Sequence, residues 1–227
     1  MLSKSAARAF FLGGTALCVV AFVGLTIDTF SRIPAQTRQG EITDAVRRGK
    51  HLWDRSNCMG CHTLLGEGAY YAPELTKVYE RRGPVFIREM LTDPEKMYPG
   101  QRRMWKYDFS ERDKDDLIAF FDWIGKMDLN GFPPKPTLAQ VATTTGLATT
   151  ADRPQIFNQL CVACHALGGQ GGQVGPALDG VGGRMAPAQI AAWLADPPAI
   201  KPGTQMPKLP LTDGQRQELT AFLSTLK

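Results

Sequence analysis

Cys58-Met59-Gly60-Cys61-His62 and Cys161-Val162-Ala163-Cys164-His165 share one spacing, Cys-x-x-Cys-His. Two thiols at this separation, followed at once by an imidazole, suit one chemistry well. The thiols add across the vinyl groups of a haem, and the histidine becomes an axial ligand of the iron. A bare Cys-x-x-Cys also serves as a redox dithiol or as half of a zinc site. A histidine after both copies argues against those uses, and so does the shortage of further ligands. Of three histidines and five cysteines, only His51 and Cys18 lie outside the motifs. Cys18 falls in an apolar run and reads as a small buried hydrophobe. His51 reads as a surface or packing residue. Two covalent haem c groups are expected, held by Cys58, Cys61, Cys161 and Cys164, with His62 and His165 on the iron.

The ligand opposite each histidine comes from an internal repeat. Counted from the histidine, Pro73 and Pro176 are both at +11, Leu75 and Leu178 at +13, and Arg81 and Arg184 at +19. Asp93-Pro94 and Asp196-Pro197 are both at +31 and +32, and Met104 and Met206 fall at +42 and +41. Beyond the methionines, Ser110 pairs with Thr212, Leu117 with Leu219 and Phe120 with Phe222. Met104 and Met206 are therefore the expected second axial ligands, since a thioether opposite an imidazole raises the reduction potential. Met90, Met97 and Met185 have no methionine partner in the other copy. Pro73 and Pro176 are expected to offer a carbonyl to the histidine Nδ1–H, fixing ring and tautomer. Arg81 and Arg184 are candidates for propionate contacts, against a plain reading as surface charges.

Each copy needs elements that place these groups. Helical spacing runs from Thr43 to Trp53, with Thr43 or Asp44 as cap. A glycine- and tyrosine-containing loop follows the first motif. Val85 to Thr92 reads as a short helix stopped by Asp93-Pro94. Ser110 caps a helix from Glu111 to Met127, whose acidic first turns suit the helix dipole. The order helix, haem motif, loop, helix, methionine loop, helix resembles the class I cytochrome c fold. The expected architecture is all-α: one N-terminal transmembrane helix followed by two such domains, at 37–131 and 152–227. The Pro-, Thr- and Ala-rich stretch 132–151 reads as a linker.

Residues 1–9 are short and basic, and 10–29 form the expected anchor. Phe10 to Ile27 holds no charge, and its 18 residues span roughly 27 Å as a helix. Basic residues ahead of the run put the N-terminus in the cytoplasm and the haem domains across the bacterial inner membrane, in the periplasm. A cleaved signal peptide is the competing reading, disfavoured by the length of the run and the lack of a good cleavage site. Charge argues against nucleic acid as a partner: residues 37–131 carry 16 basic and 16 acidic side chains, and residues 152–227 carry 6 and 5.

The first domain also carries a more particular pattern. Cys58 to Leu75, CMGCHTLLGEGAYYAPEL, with Arg81-Arg82-Gly83 and the ending Asn130-Gly131-Phe132-Pro133-Pro134, resembles the cytochrome c subunit of bacterial nitric oxide reductase. The resemblance covers about residues 1–136, and the second domain is an addition to it. It implies a membrane-anchored dihaem electron-transfer subunit without substrate chemistry of its own. Its implied partners are a polytopic catalytic subunit with haem b and non-haem iron, which reduces NO to N2O, and a soluble periplasmic cytochrome c or cupredoxin as donor. Membrane lipid surrounds the anchor. It further implies a subunit interface at the tyrosine loop, with Gly68 and Tyr70 as candidate calcium contacts. The competing readings are the dihaem subunit of a cbb-type haem–copper oxidase, a dihaem peroxidase and a free tethered electron shuttle. The Gly-Glu-Gly-Ala-Tyr-Tyr loop speaks against the first, and two paired methionines speak against an open iron in the second.

Overall fold

The computed structural model describes residues 3–101, 103–134 and 153–227. Helix α1 (Lys4–Gln36) contains the apolar run and extends beyond it at both ends. Ser3 caps its start by accepting from the Ala6 amide. Pro34 lies in its last turn, where little of the hydrogen-bond ladder remains to be lost. None of the helix is buried, and it is long and apolar enough to cross a membrane. Cys18 is exposed on it rather than buried, because α1 packs on no other element along this stretch.

The end of α1 is tied to the first domain. Gln36 O accepts from the Asp128 amide at 3.0 Å, Arg38 Nε donates to Lys126 O at 3.0 Å, and Trp123 Nε1 donates to Arg38 O at 3.3 Å.

The first domain follows as α2 (Asp44–Arg55), β1 (Thr63–Leu64), β2 (Glu67–Gly68), α3 (Val78–Thr92), α4 (Pro94–Met97) and α5 (Glu111–Gly125). Thr43 caps α2 through the Val46 amide. Ser110 caps α5 in a reciprocal box with Asp113. Helices α2 and α5 cross tightly, burying Val46, Leu52 and Trp53 against Leu117, Phe120, Phe121 and Ile124. Gly49 makes the approach possible: a Cβ there would lie 2.0 Å from Asp116 O. Arg48 forms two hydrogen bonds to the buried Asp116 carboxylate, at 2.7 and 2.8 Å, across the same crossing. Helix α3 starts seven residues before the expected Val85 because a turn from Val78 joins it. Gly83, at φ 71°, kinks the chain between the two pieces.

The second domain repeats this order as α6 (Gln155–Leu160), β3 (Ala166–Leu167), β4 (Gln170–Gly171), α7 (Val181–Arg184), α8 (Pro187–Ala195), α9 (Pro197–Ile200) and α10 (Asp213–Thr225). Ala186-Pro187 stands where the first domain has Gly83-Pro84, and there two separate helices form. Phe157 and Phe222 meet edge to face, 4.9 Å between centroids, at the crossing of α6 and α10. Helix α6 has only six residues against twelve in α2. The linker expected at 132–151 lies outside the described residues from position 135 onward.

Candidate haem sites

Both attachment motifs fold the same way. Cys58–Gly60 and Cys161–Ala163 form single 3-10 turns, and His62 N and Cys61 N both bond back to Cys58 O. A two-residue antiparallel ladder then pairs Thr63 with Gly68, and another pairs Ala166 with Gly171. The glycines are required: their φ values are 119° and 124°, and a Cβ on either would lie 2.3 Å from the preceding histidine's carbonyl.

This ladder aims the histidine. The Nδ1 atoms of His62 and His165 each lie 2.7 Å from the carbonyl of Pro73 and Pro176, respectively. A carbonyl can only accept, so Nδ1 carries the proton and Nε2 keeps its lone pair for a metal. Burial pushes His62 below its ordinary pKa, partly offset by the Pro73 carbonyl.

Cys58 and Cys161 lie in surroundings unlike those of a low-pKa redox thiol. Burial pushes Cys58 up to about 11 and Cys161 up to about 12. A redox Cys-x-x-Cys works by a lowered pKa, so both residues present neutral thiols. Neutral thiols beside an Nε2-directed histidine fit the donor set of a covalently attached haem. Among the described residues no cluster of three or more His, Cys, Asp or Glu side chains could hold a bare metal ion.

The repeat extends to supporting bonds that spacing alone had not singled out. Leu65 N bonds Thr76 Oγ1 at 2.7 Å, and Gly168 N bonds Asp179 Oδ1 at 2.9 Å; Thr76 and Asp179 hold matching positions. Asp93 accepts from Lys106 at 3.1 Å, and Asp196 from Lys208 at 2.8 Å; each lysine lies two residues past the methionine. Arg81 donates to Glu74 O at 2.6 Å, and Arg184 to Ala177 O at 3.3 Å and Asp179 O at 2.6 Å. Both arginines thus brace the loop after the motif through backbone carbonyls. Met104 and Met206 are partly buried on the loops before α5 and α10, packed on the cores of their own domains. Met206 Sδ accepts from Trp193 Nε1 at 3.0 Å. The position of Trp193 is held by Met90 in the first domain, so this donor has no counterpart there and the repeat could not announce it. His51 is exposed.

Differences gather around the first motif. Met59, Leu65, Tyr70, Tyr71 and Trp105 are exposed there, Tyr70 to 85% and Trp105 to 78%. The matching residues in the second domain are Val162, Gly168, Gln173, Val174 and Pro207. Gly68 sits under this face, while the Tyr70 side chain points to solvent.

Helical fold, anchoring helix and paired thiol–imidazole loops together define a c-type cytochrome, an electron carrier with covalently bound haem. The cytochrome c family pattern matches residues 46–125 and 151–227. The C subunit of nitric oxide reductase from Stutzerimonas stutzeri is 41% identical over 137 residues, 58% of this chain and 94% of that protein. Its counterpart from Paracoccus denitrificans is 36% identical over 145 residues, 59% of this chain and 95% of that protein. Cytochrome c oxidase subunit 2 of Alkalihalophilus pseudofirmus is 31% identical over 127 residues, but only 32% of that protein is covered. The chain belongs to the cytochrome c family and, within it, to the family of nitric oxide reductase C subunits. Those proteins account for about three-fifths of its length.

Proposed function

We propose that this chain is the dihaem electron-transfer subunit of a nitric oxide reductase complex. Haem, when bound, supplies a one-electron Fe(III)/Fe(II) couple at each site. The chain supplies Cys58 and Cys61, and Cys161 and Cys164, as thioether anchors. His62 with Met104, and His165 with Met206, would hold the iron. Pro73 and Pro176 hold the imidazoles, and Arg81 and Arg184 stiffen the loops beside the propionates. With both ligands supplied by the chain, neither iron would offer an open coordination position to a substrate. Substrate chemistry belongs to the partner.

The observation that carries this reading is the exposed aromatic face at the first motif. Its tyrosine loop is bonded to the motif backbone at Met59 O and Cys61 O, and the second domain lacks the exposed tyrosines. Such a face suits a stable interface with another protein of the complex. The proposed partner there is the polytopic haem b and non-haem iron subunit that reduces NO to N2O. Gly68 and Tyr70 are the proposed contacts to an interfacial calcium, which would need carboxylates from the partner. The proposed orientation puts residues 1–9 in the cytoplasm and both domains, 37–131 and 152–227, in the periplasm of the inner membrane. Electrons enter from a soluble cytochrome c or cupredoxin at the second domain, pass to the first and leave to the catalytic subunit.

Purification of the native complex in mild detergent tests this. The expected preparation contains haem b and non-haem iron beside two haem c per chain, and it consumes NO with a reduced periplasmic donor. A copper-containing partner, or a chain that purifies alone, overturns it.

A further inference from the structure

The two domains share a contact that their repeat does not predict. Phe86 and Met97 of the first domain are buried in the core of the second, with Phe157, Leu160 and Ala163. Val85, Met90 and Tyr98 pack against the same cluster. Gly83 is pressed against α6: a Cβ there would lie 2.7 Å from Gln159 Oε1. The face is specific to the first domain. Where it has Phe86, Met97 and Tyr98, the second has Gln189, Ile200 and Lys201, and Ile200 is 51% exposed.

This contact ends on the second haem site. Cys164 Sγ lies 3.8 Å from Met97 O. In a covalently attached haem that sulfur would be bonded to a carbon carried directly by the porphyrin, which would place Met97 and Tyr98 near the macrocycle edge. The equivalent sulfur of the first domain, Cys61, is exposed, whereas Cys164 is half-buried. Arg82 stands at the same junction, its Cζ 5.1 Å from the centroid of the Phe86 ring. The second domain has Met185 in place of Arg82. The segment that begins at Met97 also runs on to Met104, the proposed axial ligand of the first domain.

We propose that the second domain is permanently docked in cis on α3 and α4 of the first, through Phe86, Met97 and Tyr98. Its haem edge at Cys164 then exchanges electrons within one fixed contact, and Arg82 supplies the positive charge beside that edge. This deepens the electron-transfer reading and rests on both sites carrying haem. With haem bound at both sites, the step would move one electron, the second-domain iron going from Fe(II) to Fe(III) as the first-domain iron goes from Fe(III) to Fe(II). No bond or proton changes hands, and the reducing equivalent comes from a reduced one-electron carrier protein.

The test uses the full chain in detergent, without the catalytic partner. One electron is injected by a photoexcited ruthenium complex, and its redistribution between the domains is followed. The wild-type rate is expected to be independent of glycerol viscosity. Phe86→Glu is expected to slow it by about tenfold or more and make it viscosity-dependent, as docking becomes a search by a tethered module. Arg82→Gln, a milder change, is expected to lower the midpoint potential of the second haem alone. Amide hydrogen exchange over residues 84–98 reads the docking without reference to haem, and protection there should fall in Phe86→Glu. A viscosity-dependent wild-type rate overturns the proposal. So do unchanged exchange kinetics and unchanged protection in Phe86→Glu, or an unmoved second midpoint in Arg82→Gln. Fast, viscosity-independent exchange in a chain whose native complex consumes no NO would leave the docking standing and remove the assigned partner.

Discussion

The indole Nε1–H of Trp193 donates to Met206 Sδ across 3.0 Å, joining α8 to the methionine loop of the second domain. A hydrogen bond to a thioether withdraws electron density that the sulfur would otherwise offer to ferric iron, so it favours the ferrous state. Trp193→Phe keeps the ring and removes the donor. The second midpoint potential should fall while the first stays in place, as read by spectroelectrochemical titration. Equal movement of both midpoints, or of neither, would remove Trp193 from any tuning role.

Gly49 allows α2 and α5 to touch backbone to backbone. A methyl group there would sit 2.0 Å from Asp116 O and 2.8 Å from Phe120 Cβ, and backbone cannot step aside as a side-chain tip can. Gly49→Ala should destabilise the first domain by about 1–3 kcal/mol, seen as a lower denaturant midpoint. Gly214 in α10 has open space around it instead. Gly214→Ala should be neutral or stabilising, by up to about 1 kcal/mol. Equal effects at the two sites would contradict the close crossing.

Asp93 and Asp196 each cap a short helix and grip the lysine two residues past a methionine. The Lys96 amide and the Lys106 ammonium hold Asp93 below its ordinary pKa. The Lys208 ammonium and the Ala199 amide do the same for Asp196. A lowered folded value means that the stabilisation is complete above the ordinary aspartate pKa and is lost as pH falls through the lowered one. The methionine-to-iron charge-transfer band should therefore weaken on acidification in that window. Asp93→Asn and Asp196→Asn should each move the acid midpoint of their own domain upward. Both lysine pairs are exposed, so added salt should shift the wild type the same way. A band indifferent to both changes would dissociate these pairs from the methionine loops.

Much of this architecture was legible from residue spacing. The offset of eleven residues between histidine and proline reappears as two bonds of equal length, 2.7 Å. Thr43 and Ser110 cap the helices they were expected to cap, because capping is local chemistry. The contact between the domains was not legible. Met97 and Met90 lack methionine partners in the repeat, and this set them aside as ligands without saying what they touch. A residue absent from one copy is invisible to a comparison of copies, yet such residues build what the copies do not share. Trp193 escaped notice for the same reason. Lys106 and Lys208 could have been found, since their place after each methionine follows the same slip of one residue.

Helix α1 runs unbroken for 33 residues, about 50 Å at 1.5 Å per residue, whereas a bilayer core takes up only about 30 Å. In a bilayer the surplus turns would form a stalk, and its end is clamped at Gln36 and Arg38 to the C-terminal end of α5. With α1 in the bilayer as proposed, this clamp would hold the first domain at a set height above the lipid. The proposed partner, embedded in the same bilayer, would then meet it by sliding in two dimensions, with the docking height fixed by the length of one helix.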